Sequence, residues 1–237
     1  MNHLKLAVHN VFMLSLLLTL LSCHRTSRAD QMRRQMYEKD SLQYIQALST
    51  RNYSDSMLQV LMPQVDPLLQ QFKYEKNDDY EQHGHYVHKL LTTDRNTSRN
   101  YLQAYVTDDN HLTLQSYYFG SQPLNQHTVK LTIGEDFVQA QGHNHTFQAE
   151  GNYEILTIPE NDALRLLEQI AAHNEERIKV SLLGKREQIY YLQTNEKQAL
   201  AHTYRLAVIM QDIATLERSV LTANKVIEKQ QRKNNFQ

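Results

Sequence analysis

The side chains with the most chemistry to offer are histidines, twelve in 237 residues. Two pairs share one spacing: His83-Gly84-His85, with His88 three residues on, and His143-Asn144-His145. In an extended chain, residues two apart point to the same face. Each pair would therefore present two imidazoles to one side, an arrangement able to hold Zn²⁺ or Cu²⁺. A divalent metal on His83, His85, His143 and His145 is one reading. The other is a set of surface histidines on polar strands and a turn, because the chain has no H-E-x-x-H spacing and nothing in the sequence brings the pairs together. Tyrosine is the second bias, fourteen against no tryptophan. In Tyr117-Tyr118-Phe119 and Tyr190-Tyr191, adjacent rings on a strand point to opposite faces, so one of each pair packs inward while the other stays at the surface. A surface set of this kind either binds carbohydrate or protein or covers the rim of a sheet. The motifs G-x-S-x-G, G-x-x-x-x-G-K-[ST] and G-x-G-x-x-G are missing, and the acids are scattered. The expected class is therefore a binding or structural-interaction protein, with a hydrolase built on a carboxylate pair assembled by the fold as a further alternative.

Composition narrows the classes further. A single cysteine, at position 23, makes neither an internal disulfide nor a thiolate metal site. A formal charge of −1 gives no basic footprint for nucleic acid, and a mean hydropathy of −0.62 argues against a polytopic membrane protein. The amino terminus departs from that average. Lys5 is the one charged residue before Cys23, and between Val11 and Leu21 only Ser15 and Thr19 are not apolar. That run is too short for a span of about 20 residues but suits the apolar region of a secretory signal.

The run ends in Leu20-Leu21-Ser22-Cys23, and these residues resemble the lipobox of bacterial lipoprotein precursors. The lone cysteine falls where the motif needs it, although Leu21 stands where a small residue is commoner. The resemblance covers about the first tenth of the chain. It implies cleavage between Ser22 and Cys23, diacylglycerol on the Cys23 sulfur and acylation of the new amino terminus. Such a protein is anchored stably to a membrane by its lipid. With no acidic cluster after the cysteine and no Asp at the second mature position, the expected location is the outer membrane, facing the periplasm.

The elements that must position these groups follow from periodicity. Residues 29–48 lack Gly and Pro and carry Met32, Met36, Ile45 and Leu48 in a polar background, which predicts an exposed stalk helix. A second helix is expected from Ser54 or Asp55, with Leu58, Leu61, Val65, Leu68, Leu69 and Phe72 on one face and a break or kink near Met62 at Pro63 and Pro67. From Tyr80 to Leu192 the period changes to two, and turn signals include Asp108-Asp109-Asn110, Gly134-Glu135-Asp136, Gly142-His143-Asn144 and Gly151-Asn152. A helix over residues 160–174 interrupts the strands. The expected fold is α+β: amino-terminal helices, a largely antiparallel sheet with one inserted helix, and a long carboxy-terminal helix.

That last helix spans residues 195–232 without Gly or Pro. Leu206, Ile213, Val220 and Ile227 fit heptad position a, and Ile209, Leu216 and Ala223 fit position d. Its first half is expected to cover the sheet and its second half to make a coiled-coil contact, either with residues 29–48 of the same chain or with a protein partner or second copy. The expected organisation is signal peptide 1–22, tether and stalk 23–52, α+β domain 53–194, and carboxy-terminal helix 195–237. Asp40-Ser41-Leu42 and Asp55-Ser56-Met57 resemble acceptor sites of a bacterial periplasmic O-glycosylation system, which would modify Ser41 and Ser56.

Overall fold

The computed structural model of the chain describes residues 28–76, 84–91, 99–149 and 151–235. The signal segment, Ser22, Cys23 and His83 lie outside the described residues. Three helices are present among those described: α1 (Arg28–Leu69), α2 (Glu160–Ala172) and α3 (Thr194–Asn235). Ten strands accompany them: β1 (Phe72–Glu75), β2 (His85–His88), β3 (Tyr101–Thr107), β4 (Leu112–Gly120), β5 (Thr128–Ile133), β6 (Asp136–Gln141), β7 (His143–Ala149), β8 (Gly151–Ile158), β9 (Ile178–Leu183) and β10 (Glu187–Tyr191). The protein is of the α+β class, with antiparallel sheets, an amino-terminal helix, an inserted helix and a long carboxy-terminal helix.

The chain divides into two compact units. One comprises residues up to Tyr53 together with those from Ser219 onward, and the other is Ser54–Arg218. The carboxy-terminal helix is thus shared between units rather than starting one of its own at residue 195.

In the larger unit the strands form two sheets, not the single sheet expected: a six-stranded sheet in the order β1-β2-β3-β4-β8-β7, and a four-stranded sheet in the order β10-β9-β5-β6. Gly142, expected at a turn with His143 and Asn144, is instead the single residue between β6 and β7. It carries the chain from the edge of one sheet to the edge of the other. A side chain there would collide with the Thr157 carbonyl oxygen. The expected hairpin turns do form at residues 108–111, where Asn110 has φ 69°, and at Gly134, φ 59°. Asn and Gly are the residues that adopt this left-handed region at least cost.

One face of the six-stranded sheet carries Leu102, Ala104, Val106, Leu112, Leu114, Tyr118, Leu156 and Ile158, all buried. It shares a core with Val129, Leu131, Val180 and Leu182 of the smaller sheet. Helix α2 adds Ala163, Leu166, Leu167 and Ile170 and lies against β4 and β6. Helix α3 adds Leu200, Leu206, Ala207 and Ile209 to the same cluster. At about 25 cal/mol per Å² of apolar surface, this burial is the main force assembling the unit.

Local expectations need correction. The helices expected over residues 29–48 and from Ser54 are one, Arg28–Leu69. No break occurs near Met62: the helix continues through Pro63 and Pro67 to Leu69. Leu61, Val65, Leu68 and Leu69 pack on the core and hold the turn in place, and the Gln64 side-chain amide donates to the Val60 carbonyl at 3.0 Å. Phe72, expected on that helix, instead opens β1 and is buried there. The strand Tyr153–Ile158 points Glu154 into the core together with Leu156 and Ile158. Its carboxylate accepts the backbone N–H groups of Leu124, Asn125 and Gln126 at 2.7, 2.8 and 2.8 Å, and the Asn144 amide at 3.2 Å. Three consecutive donors converging on one buried acid pin the β4–β5 connection to β8.

In the smaller unit, residues 28–53 of α1 and 219–235 of α3 lie antiparallel. Ala47, Ala223 and Ile227 are buried together, with Tyr44, Leu48 and Val226 packed around them. Lys233 Nζ donates to Asp40 Oδ2 at 2.6 Å. This contact lowers the Asp40 carboxyl below its usual pKa.

Candidate functional site

The register of the six-stranded sheet places alternate residues on the face turned away from the core. Tyr101 pairs with Tyr117 and Gln103 with Gln115, while Tyr117 and Gln115 pair in turn with Ile155 and Thr157. Tyr105 and His85 follow on the same face through the pairings of β2 with β3. Tyr153 sits diagonally across from Tyr117. The sequence Tyr101-Leu102-Gln103-Ala104-Tyr105-Val106 shows why: its apolar alternates serve the core, which leaves Tyr, Gln and Tyr on the opposite side.

These residues line a cavity of about 300 Å³ bounded by His85, Tyr101, Gln103, Tyr105, Gln115, Tyr117, Tyr153 and Ile155. The rings of Tyr101 and Tyr117 stack with centroids 4.4 Å apart and planes within 6°. Tyr153 lies 5.8 Å from Tyr117, and His85 lies 4.7 Å from Tyr105. The Tyr117 hydroxyl donates to Gln115 Oε1 at 2.6 Å, which fixes that amide. Tyr101, Gln103 and Tyr117 are buried, whereas Tyr105, Gln115 and Tyr153 are half-buried. The lining offers ring faces and primary amides, chemistry suited to a neutral ligand that has both apolar faces and hydroxyl or amide edges.

His85 does not meet His143 and His145, and His83 lies outside the described residues. His85 is on β2, with its Nε2 3.9 Å from Glu75 Oε2. His143 and His145 are exposed on β7, on the same sheet face but four strands away. At about 4.8 Å per strand, that is roughly 19 Å, too far for one metal ion. Among the described residues, no group of three or more His, Cys, Asp or Glu is placed to hold a metal.

A different histidine pair, which spacing does not single out, is brought together by the fold. His88 is buried, its ring edge-on to Phe72 at 5.0 Å and its Nε2 3.1 Å from His202 Nδ1. The Leu90 N–H donates to His88 Nδ1 at 3.2 Å, so that nitrogen carries no proton and Nε2–H must donate to His202. Burial, with the neighbouring His202 and Lys89, pushes His88 down to about 4. His202 is lowered by its own burial and by Arg205. The pair is therefore a neutral structural contact between β2 and α3.

A second cleft, about 390 Å³, is bounded in part by Arg99, Asn100, Phe119, Tyr190 and Glu196. Glu196 Oε2 accepts the Gln193 N–H at 2.9 Å and so caps α3. Its Oε1 faces Arg99 at 3.9 Å without a hydrogen bond, and burial raises the carboxyl.

Of the heptad positions, Leu206 and Ile209 belong to the body's core and Ile213 packs against it. Leu216 and Val220 are half-buried, and Ala223 and Ile227 face α1 of the same chain. Ser41 and Ser56 are exposed on α1. No helix among the described residues is long and apolar enough to cross a membrane.

Fold and site together define an α+β protein with a tyrosine-lined sheet face. The chain matches no protein-family model, no curated protein and no solved structure in comparisons with each.

Proposed function

We propose that this is a lipid-anchored protein of the cell envelope, of binding type, which holds a neutral glycan segment on the tyrosine face of its six-stranded sheet. The observation that carries the reading is the lining of the cavity: four tyrosines, two glutamines, one histidine and one isoleucine. A pyranose ring has C–H faces that stack on tyrosine and hydroxyl edges that glutamine amides bind from either side. The anchor rests on the Leu20-Leu21-Ser22-Cys23 resemblance, with diacylglycerol on Cys23 and the protein on the outer membrane facing the periplasm. The body then meets envelope polysaccharide without diffusing away.

Both halves have a direct test. With no tryptophan in the chain, tyrosine emission reports on the site. Titration with a panel of soluble peptidoglycan fragments and short neutral oligosaccharides is expected to quench it saturably. Tyr105→Ala combined with Tyr153→Ala should weaken binding at least tenfold, since stacking contributes about 0.5–1.5 kcal/mol per aromatic beyond area burial. No saturable change with any fragment removes the glycan reading. For the anchor, wild type is expected to partition into a detergent phase carrying an acyl mass on Cys23, and Cys23→Ser to stay aqueous. Equal partition of the two removes the lipid anchor.

A further inference from the structure

The paired helix ends carry a second feature that the glycan site does not use. Between residues 33–40 of α1 and residues 225–233 of α3 lies a groove of about 1040 Å³. Six cations line it, Arg33, Arg34, Lys225, Lys229, Arg232 and Lys233, against three acids, Glu38, Asp40 and Glu228. Two of those acids are already engaged inside the groove: Asp40 with Lys233 at 2.6 Å, and Glu228 with Arg232 at 3.6 Å. The surplus is positive.

Apolar groups accompany the charge. Met36 and Tyr37 line the same groove at 66% and 72% exposure, and Met32 one turn earlier is 59% exposed. A core-facing stripe would have hidden them. Long cations around flexible thioethers and an amphipathic ring form a surface suited to a membrane interface, where the stems lie among the lipids and the charged heads reach phosphate.

Chain geometry places that interface. Helix α1 begins at Arg28, five residues after Cys23, an extended reach of at most about 18 Å. Arg33 follows five residues into the helix, about 8 Å further along its axis. An acylated Cys23 would thus hold the groove within reach of the headgroup layer.

We infer that the groove between the paired ends of α1 and α3 binds anionic phospholipid headgroups of the membrane that carries the protein. The inference rests on the lipid-anchor reading for its orientation, but the charge pattern can be tested without the lipid. Each Lys or Arg near an anionic surface strengthens partition several-fold, so several together give a measurable affinity.

The experiment uses the chain from residue 23 to 237 with Cys23→Ala, which removes the acylation site. Flotation with phosphatidylcholine vesicles, with and without phosphatidylglycerol, measures partition. Binding is expected only with phosphatidylglycerol and should fall as salt rises. Arg33→Glu with Lys225→Glu and Lys229→Glu should lower partition by tenfold or more, and the neutral set Arg33→Gln, Lys225→Gln, Lys229→Gln by a smaller factor, with helical circular dichroism unchanged in both. Equal binding to the two vesicle types, or partition indifferent to both sets, overturns the inference. So does binding of inorganic phosphate in solution with none to vesicles. Acyl mass on wild-type Cys23 is read separately: vesicle binding without acylation removes the anchor and keeps the groove, and acylation without vesicle binding does the reverse.

Discussion

The body, residues 54–218, and the paired helix ends make opposite use of apolar side chains. In the body, Leu102, Leu114, Leu131, Leu156, Leu167, Ile178 and Leu182 are fully buried, and the buried acid Glu154 has three consecutive backbone donors turned toward it. In the helix pair, among described residues, only Ala47, Ala223 and Ile227 form the buried cluster, while Met32, Met36, Tyr37, Leu42, Ile45 and Leu221 stay exposed. The body is thus a packed core that organises a site on its outer face. The pair keeps its larger apolar groups at the surface, which is consistent with a role against another surface.

The contrast can be broken most severely at Glu154. Glu154→Leu leaves the backbone N–H groups of Leu124 and Gln126 buried without acceptors, at about 1–3 kcal/mol each, so urea denaturation should show a loss of about 4 kcal/mol or no cooperative transition at all. A native-like midpoint would mean that the β4–β5 connection can find other acceptors. Leu114→Ala, in the middle of the same core, should cost about 3 kcal/mol by the same measurement.

Acid should act on the body through His88. Its folded pKa of about 4 lies below the 6.5 of the unfolded chain. The unfolded state therefore binds more protons between these values, and the neutral ring's contribution, full above pH 6.5, is lost as pH falls toward 4. The displacement allows about 2 to 3 kcal/mol across that window, and His88→Leu should flatten the loss. An unchanged pH profile in the variant would show that the buried pair does not control acid stability.

The smallest effect belongs to the helix pair. Ala223→Glu should speed amide exchange in residues 40–50 and 219–230 while leaving the body's thermal transition in place, because the buried cluster it disturbs is separate from the body's core. A fall in the body's transition would mean that the two clusters unfold together.

Part of the site is legible in the sequence. The spacing Tyr101, Gln103, Tyr105 opposite Leu102, Ala104, Val106 follows from period two, and so does the placing of Tyr117 and Tyr118 on opposite faces, although both are buried, Tyr118 with its hydroxyl donating to the Gln122 carbonyl at 2.8 Å. What period two does not state is which strands are neighbours. His85 and His143 read alike in sequence, yet β3, β4 and β8 stand between their strands. Gly142 reads as a turn because glycine marks both reversals and close approaches; here it permits a close approach to Thr157. Glu154 gives no local sign of its role, because the three amide donors it meets arrive from residues 124–126.

Sequence alone determined the α+β class, the hairpin turns at Asn110 and Gly134, the long carboxy-terminal helix, and the placing of the single cysteine after an apolar run, since each depends on neighbouring residues and backbone preference. Tertiary structure decided what depends on contacts between distant segments. It split the strands into two sheets, kept the helix intact through Pro63 and Pro67, and gathered tyrosines from three strands into one cavity. It also set His85 four strands from His143 and His145 and matched Ala223 and Ile227 with Ala47. The physical reason is that side-chain period fixes the face on which a residue lies, whereas burial and hydrogen bonding across the fold select the partner that face meets.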